Sequence, residues 1–222
     1  MSSTSAVQTF SPDATLAGGK TPQPTTDVKF KASASVKTLT VSPTDLEAVK
    51  IIQPPKFGDH RGFFSETFNS QKLAAEGIDL SFVQDNQSLS RSVGVLRGLH
   101  YQVSPEPQDK LIRVLKGRIL DVAVDIRRSS PTFGRHVAVE LSADNWQQLL
   151  VPKGFAHGFV TLEPDTEVLY KVTGFYNPSA ERGIAYNDPA LGIDWRLPHD
   201  ELTLSDRDRE HPNLADQADL FD

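Results

Sequence analysis

After Leu46 the chain repeats one texture: short runs of β-branched, aliphatic and aromatic residues, each ended by Gly, Pro, Asp or Asn. VKII, FVQDNQSLS, KLIRVLKGRILDVAVDIR, HVAVEL, WQQLLVP, HGFVTL and EVLYKVTGFY all read as strands. Within DVAVDIR, Val122, Val124 and Ile126 alternate with Asp121, Ala123 and Asp125, a period of two that predicts a strand with one apolar face. Lys116-Gly117, between two such runs, reads as a hairpin turn. One helix is expected, from Ser70 to Glu76 (SQKLAAE), stopped by Gly77 at the C′ position. No internal repeat is visible. Many strands and almost no helix, within about one domain's length, predict an all-β sandwich or barrel.

Residues 1–45 differ. They are rich in Ser, Thr, Ala and Pro, show no sustained apolar period, and are expected to form a disordered arm ahead of a single domain over 46–222. The arm has neither the basic start and apolar stretch of a secretory signal nor the arginines of a transit peptide, so a cytoplasmic location is expected. The 29 acidic residues outnumber the 23 basic ones and leave a net charge of −6, which argues against nucleic acid as a partner. No window approaches the roughly 18 consecutive apolar residues of a membrane helix, so no membrane placement is expected. With no cysteine, disulfides, thiolate metal sites and cysteine nucleophiles are excluded, and stability must come from burial.

The segment VPKGFAHGF, from Val151 to Phe159, contains Pro-x-Gly-x-x-His, which resembles the second sequence motif of the cupin jelly rolls. Metal-binding cupins supply a His-x-His pair and a downstream Glu from the partner motif. Here the matching strand reads Gly98-Leu99-His100-Tyr101-Gln102, with Gln at the second ligand position and Lys110 at the carboxylate position. A cation directed at that space repels a divalent ion, so no metal is expected. RGFFSETF (61–68), VQDNQSLSRSVGVLRGLHYQ (83–102), DVAVDIR, PTFG, VPKGFAHGF, LYKVTGFY and NDPALGIDW follow one another in order. Together they resemble the dTDP-4-dehydrorhamnose 3,5-epimerase family, the cofactor-free sugar epimerase branch of the cupins, from about Leu46 almost to the C-terminus. The resemblance implies a cupin-type jelly roll, a double-stranded β-helix with one or a few short helices.

The implied reaction removes a proton beside a ketone, holds the enolate, and returns a proton to the opposite face. An imidazole, with its ordinary pKa of about 6.5, suits the base, and the resemblance gives that role to His100. It pairs this base with an aspartate from Leu204-Ser205-Asp206-Arg207-Asp208, of which Asp208 is favoured over Asp206. The acid is expected from Tyr170, and Lys110 is expected to meet the enolate oxygen. His157 either lines the pocket, as its family counterpart does, or satisfies buried polar groups. For the nucleotide-diphosphate, the resemblance carries over Arg61, Phe64, Glu66, Gln84, Asn86 and Arg97, arginine being suited to bidentate phosphate contacts. Phe175 or Tyr176 could stack on the base. Many relatives have tyrosine where this chain has Phe175. His60, His136, His199 and His211 gain no role.

The resemblance further implies a homodimer that exchanges N-terminal strands and so places RGFFSE in the neighbour's site. The expected reaction is inversion of C3 and C5 of dTDP-4-dehydro-6-deoxy-D-glucose to give dTDP-4-dehydro-L-rhamnose. The alternatives are an enzyme acting at one carbon or shifting the ketone of a related dTDP-4-keto-6-deoxyhexose, a silent sugar-nucleotide-binding cupin, and a metal-dependent cupin. How many carbons invert depends on pocket shape, which motifs do not encode.

Overall fold

The computed structural model describes residues 36–222. The chain forms β1 (Thr40–Pro43), β2 (Lys50–Gln53), β3 (Phe57–Asp59), β4 (Gly62–Phe64), α1 (Ser70–Ala75), β5 (Gln84–Ser90) and β6 (Leu96–Gln102). It continues through β7 (Lys110–Lys116), β8 (Arg118–Asp125), β9 (His136–Ser142), β10 (Gln148–Val151), β11 (Phe155–Thr161), β12 (Thr166–Val172), β13 (Glu181–Gly183) and the single turn α2 (Asp206–Arg209). A six-stranded sheet runs β1-β2-β10-β7-β12-β5, a five-stranded sheet runs β13-β6-β11-β8-β9, and β3 and β4 pair only with each other. From β5 to β8 every successive strand changes sheet, which is the jelly-roll path anticipated from the motifs.

That path corrects one expectation. Lys116-Gly117 does not turn a hairpin, because β7 pairs with β10 and β12 while β8 pairs with β11 and β9. The chain instead turns a corner between sheets at Gly117, whose φ is +80°, and a Cβ there would overlap the Thr166 side chain. Local turn chemistry reports that the chain bends; partner choice is set by burial across the whole sandwich.

Two apolar layers explain why β8 is buried along both faces. Ile112, Val114, Leu149 and Val168 of the six-stranded sheet pack against Ile119, Ala123, Phe155 and Phe159 of the five-stranded one. On the far side of the five-stranded sheet, Leu120, Val122, Val124 and Ile126 pack beneath Trp195, Leu202, Leu204 and Leu214 from the C-terminal segment. The face of β8 that carries Asp121 and Asp125 is therefore also interior, both being 0% exposed. Asp125 is satisfied by Arg127, Ser130 and Thr132, while Asp121 is bonded to His157 through Oδ1 and its Oδ2 has no partner among the described residues.

The expected helix forms over Ser70–Ala75, with Asn69 as its N-cap and Gly77 at C′. Gly77 N–H donates to Ala74 O and Ile78 N–H to Leu73 O, the paired bonds of a Schellman ending, while Leu73 and Ile78 join the core beneath the helix. Within the segment expected to be an arm, Thr40–Pro43 pairs with Lys50–Gln53 and Val36 bridges Lys56, so residues 36–45 belong with the fold. For residues 1–35 that expectation lies outside the described residues. Among the described residues, no helix is long and apolar enough to cross a membrane.

Candidate active site

β6 and β11 run side by side through the five-stranded sheet and bring His100 directly opposite His157. The close approach depends on Gly98: its φ is +124°, and a Cβ there would lie 2.6 Å from Gly158 Cα and 2.7 Å from His157 O. Across the sandwich, β7 contributes Lys110, β12 contributes Tyr170, and the inward face of β5 contributes Gln84, Asn86 and Ser88. These side chains line a cleft with two adjoining lobes that share His100, Lys110, Tyr170 and Glu181 as a common wall. The larger lobe, about 500 Å³, also touches Arg97, His157, Phe159, Arg207 and Asp208. The smaller, about 100 Å³, touches Gln84, Asn86, Gln102, Gln108 and Tyr176.

Asp208, not Asp206, reaches His100: its Oδ1 lies 2.5 Å from His100 Nε2. The local reason is the N-cap of α2, where Ser205 Oγ accepts the Asp208 N–H. That cap fixes Asp208 at the third helical position, and Asp206 falls on the other side of the turn, about 200° around the axis, and stays exposed. Burial works against ionisation of Asp208, yet the bond from His100 and the neighbouring His211 ring outweigh it and hold the carboxyl well below the usual range. An ionised Asp208 makes Nε2 the donor nitrogen of His100 and leaves Nδ1 as the basic one.

Lys110 is almost fully buried and its Nζ lies 3.4 Å from the carbonyl oxygen of His100. Burial pulls its pKa down to about 8, against the opposing charges of Glu181 and Asp121. Tyr170 is raised above the ordinary phenol value, chiefly by burial, with the Arg97 charge acting in the other direction. His157 lines the cleft, and its Nε2 lies 2.8 Å from Asp121 Oδ1.

Several residues were not singled out from the sequence. Glu181, on β13 beside β6, receives the Tyr176 hydroxyl at 2.7 Å and the Arg207 guanidinium at 2.7 Å. Burial opposes its ionisation, but these two bonds keep its pKa below the ordinary value. Gln102, read from sequence only as a missing metal ligand, is 3% exposed and pins the loop after β12. Its Nε2 donates to Phe175 O at 3.0 Å and its Oε1 accepts the Asn177 N–H at 2.8 Å. EVLYKVTGFY therefore does not run as one strand: β12 stops at Val172, and Phe175 and Tyr176 stand on the loop, 59% and 52% exposed. Tyr176 lines the cleft, and Phe175 does not.

Three further expected site residues are not brought to this cleft. Arg61 and Phe64 lie on the β3–β4 hairpin beside a separate hollow of about 410 Å³, and Glu66 lies beside another of about 280 Å³. Among the described residues the hairpin pairs with neither main sheet and Arg61 bonds only to Asp59; Phe64 is 70% exposed, and Glu66 pairs with Lys72.

The donor set does not fit a metal. His100, Asp208 and His211 place ligand-type atoms within 4.8 Å of one another. However, the 2.5 Å between His100 Nε2 and Asp208 Oδ1 is a hydrogen-bond length. Two ligands on a tetrahedral zinc, each at about 2.0–2.1 Å, stand roughly 3.3 Å apart.

A jelly roll that turns an imidazole–carboxylate pair, a phenol and an ammonium group toward one cleft defines an isomerase-type enzyme working by acid–base chemistry on the cupin frame. A sequence profile of the dTDP-4-dehydrorhamnose 3,5-epimerase family matches residues 43–216. The chain belongs to that family. The enzyme of that name from Salmonella typhimurium is 51% identical over 177 residues, covering 79% of this chain and 94% of the relative. A dTDP-6-deoxy-D-glucose-3,5-epimerase from Legionella pneumophila, solved in complex with dTDP-4-keto-L-rhamnose, superposes with a TM-score of 0.76 at 47% identity, covering 80% of this chain and 93% of that one. A 3'-monoepimerase from Streptomyces bikiniensis, in complex with dTDP-quinovose, gives a TM-score of 0.71 at 36% identity, covering 78% and 87%.

Proposed function

We propose that this enzyme inverts C3 and C5 of dTDP-4-dehydro-6-deoxy-D-glucose to give dTDP-4-dehydro-L-rhamnose. The observation that carries the reading is the His100–Asp208 pair set in one cleft with Tyr170 and Lys110. His100 takes the proton beside the ketone, and Asp208 holds the ring and stabilises the imidazolium that forms. Lys110 meets the charge that develops on the ketone oxygen. Tyr170 returns a proton to the carbon from the other face. His100 then releases its proton to solvent and Tyr170 regains one, and the cycle is repeated at the second carbon, with no net redox change and no cofactor. Arg97, Gln84, Asn86 and Tyr176 bind the nucleotide and diphosphate portions of the substrate, and His157 lines the sugar pocket.

The single-carbon alternative has a specific counterpart in the Streptomyces bikiniensis neighbour, but that chain is less similar than the double epimerases. Incubation of dTDP-4-keto-6-deoxyglucose with enzyme in D₂O, followed by NMR, tests the reading. Deuterium at both C3 and C5 is the expected result. Label at one position alone would replace the double epimerase with a single-carbon one.

The hairpin supports a homodimer. Phe57, Phe63 and Phe64 are 46%, 57% and 70% exposed on β3 and β4, and although Phe63 meets Trp146 edge to face with centroids 4.7 Å apart, the arm keeps a largely uncovered apolar surface. Exchange of this arm would deliver Arg61, Phe64 and Glu66 to the neighbouring cleft. Sedimentation as a monomer at micromolar concentration would remove this part of the reading. A cytoplasmic location completes it.

Lys110 gives the reaction a pH signature. Its charged form is the one that can neutralise an enolate oxygen, and that form is lost as pH rises through about 8. The value of kcat/KM is therefore expected to fall about tenfold per pH unit above that point. A profile flat between about pH 8 and 10 in a buffer-matched assay would contradict the role.

A further inference from the structure

His211 gained no role from its motif context, yet it stands at the base. Its Nε2 lies 3.5 Å from Asp208 Oδ1, the same oxygen that accepts His100 Nε2–H at 2.5 Å. The His211 Nε2 atom is buried and makes no hydrogen bond among the described residues. Its ring meets that of His100 edge to face, with centroids 5.5 Å apart and planes at 85°. The space for it is built in from β13: a Cβ on Gly183, the residue paired with His100 across the ladder, would overlap the His211 ring. The segment is also fastened behind the ring, where Ala185 N–H donates to Pro212 O at 2.8 Å.

We propose that His211 is a positioning residue that shares the Asp208 carboxylate with His100, and so fixes the orientation of the base and limits its hold on a proton. This inference rests on the assignment of His100 as base. The sign follows from electrostatics and is the same for either charge state of His211. As a neutral donor, His211 draws on the oxygen that stabilises the His100 imidazolium; as a cation, it neutralises Asp208 and repels that imidazolium directly. Either way His100 remains the free base at lower pH than a two-membered pair would allow. The other charged groups facing the cluster are Arg207 on α2 and Glu181 on β13, which pair with each other, and Lys110 on β7. His157 on β11 is held by Asp121 on β8, and Tyr170 faces the cluster from β12. None of these contacts involves the His211 side chain, so they remain when it is replaced.

The test is the pH dependence of kcat/KM in His211→Leu and His211→Gln, with folding checked by thermal melting. In His211→Leu the acid limb is expected to move to higher pH by about half a unit to one unit, which lowers the rate below the limb by about three- to tenfold. The glutamine amide restores a donor and should bring the limb back toward the parent position. A residue that only fills space would lower the rate without moving the limb, so an unmoved limb in folded His211→Leu overturns the proposal, as does a shift to lower pH. Should that variant fail to fold, Gly183→Ala displaces the ring without altering its chemistry and must move the limb upward. Failure of the underlying reading looks different: deuterium exchange would persist in His100→Ala.

Discussion

Replacing His100 with alanine is expected to lower turnover by about 10²–10⁴-fold while leaving affinity for dTDP within about twofold. The difference arises because His100 is placed to act on the sugar, whereas Gln84, Asn86 and Tyr176 border the other lobe of the cleft. Without this imidazole the one remaining in the cleft, His157, is tied to Asp121 on the neighbouring strand. Lys110 is charged below about 8, and Tyr170 is raised above the ordinary phenol range. Solvent deuterium should therefore fail to enter the substrate, and the loss should appear in exchange as well as in product. One complication is physical: Asp208 is 5% exposed, and removing His100 strips its closest partner from a buried carboxylate. His100→Gln separates the two effects, because an amide can still donate to Asp208 but cannot serve as a base. Equal loss of exchange in both folded variants assigns the effect to proton removal. Exchange at the parental rate in either one refutes it.

What the sequence revealed and what it hid divide along a physical line. His100, Lys110 and Tyr170 were legible because each sits within a contiguous strand motif, and the strand carries the side chain to the interior without help from distant chain. Glu181 and Arg207 were not, because their place in the cleft depends on β13 joining the edge of the sheet beside β6 and on the single turn of α2 docking near it, contacts made across about a hundred residues of chain. His211 depends on the same docking and on the missing Cβ of Gly183. The Asp208 assignment did have a local signal, the Ser205-x-x-Asp208 spacing of a capped helix start, which selects Asp208 over Asp206 without any family comparison. Alternation in DVAVDIR located the strand but not its surroundings. Val122 and Asp121 point to opposite sides, yet β8 is central and covered on both, so the polar side became the lining of the interior. The hairpin expected at Lys116-Gly117 failed for a related reason, since a two-residue turn signature is equally compatible with a corner between sheets.

Tyr170→Phe should separate the two halves of the reaction. The phenol lines the cleft together with His100 and Lys110, and its hydroxyl is the acid assigned to the opposite face of the sugar. Burial raises its pKa, with Arg97 opposing, so it stays protonated near neutral pH. Its removal leaves the base, the Asp208 contact and the Lys110 charge in place, so the enolate can still form and collapse back on the side from which the proton left. Deuterium should continue to enter with retention of configuration, while inversion falls by about 10²–10⁴-fold. The substitution removes one oxygen and keeps the ring, so the packing of β12 against β5 and β7 is preserved. A thermal midpoint close to the parent would confirm that the measured loss is chemical. Normal turnover in this variant would remove Tyr170 from the mechanism, and simultaneous loss of exchange and inversion would show that the hydroxyl is needed before the enolate exists, for instance in holding the sugar against His100.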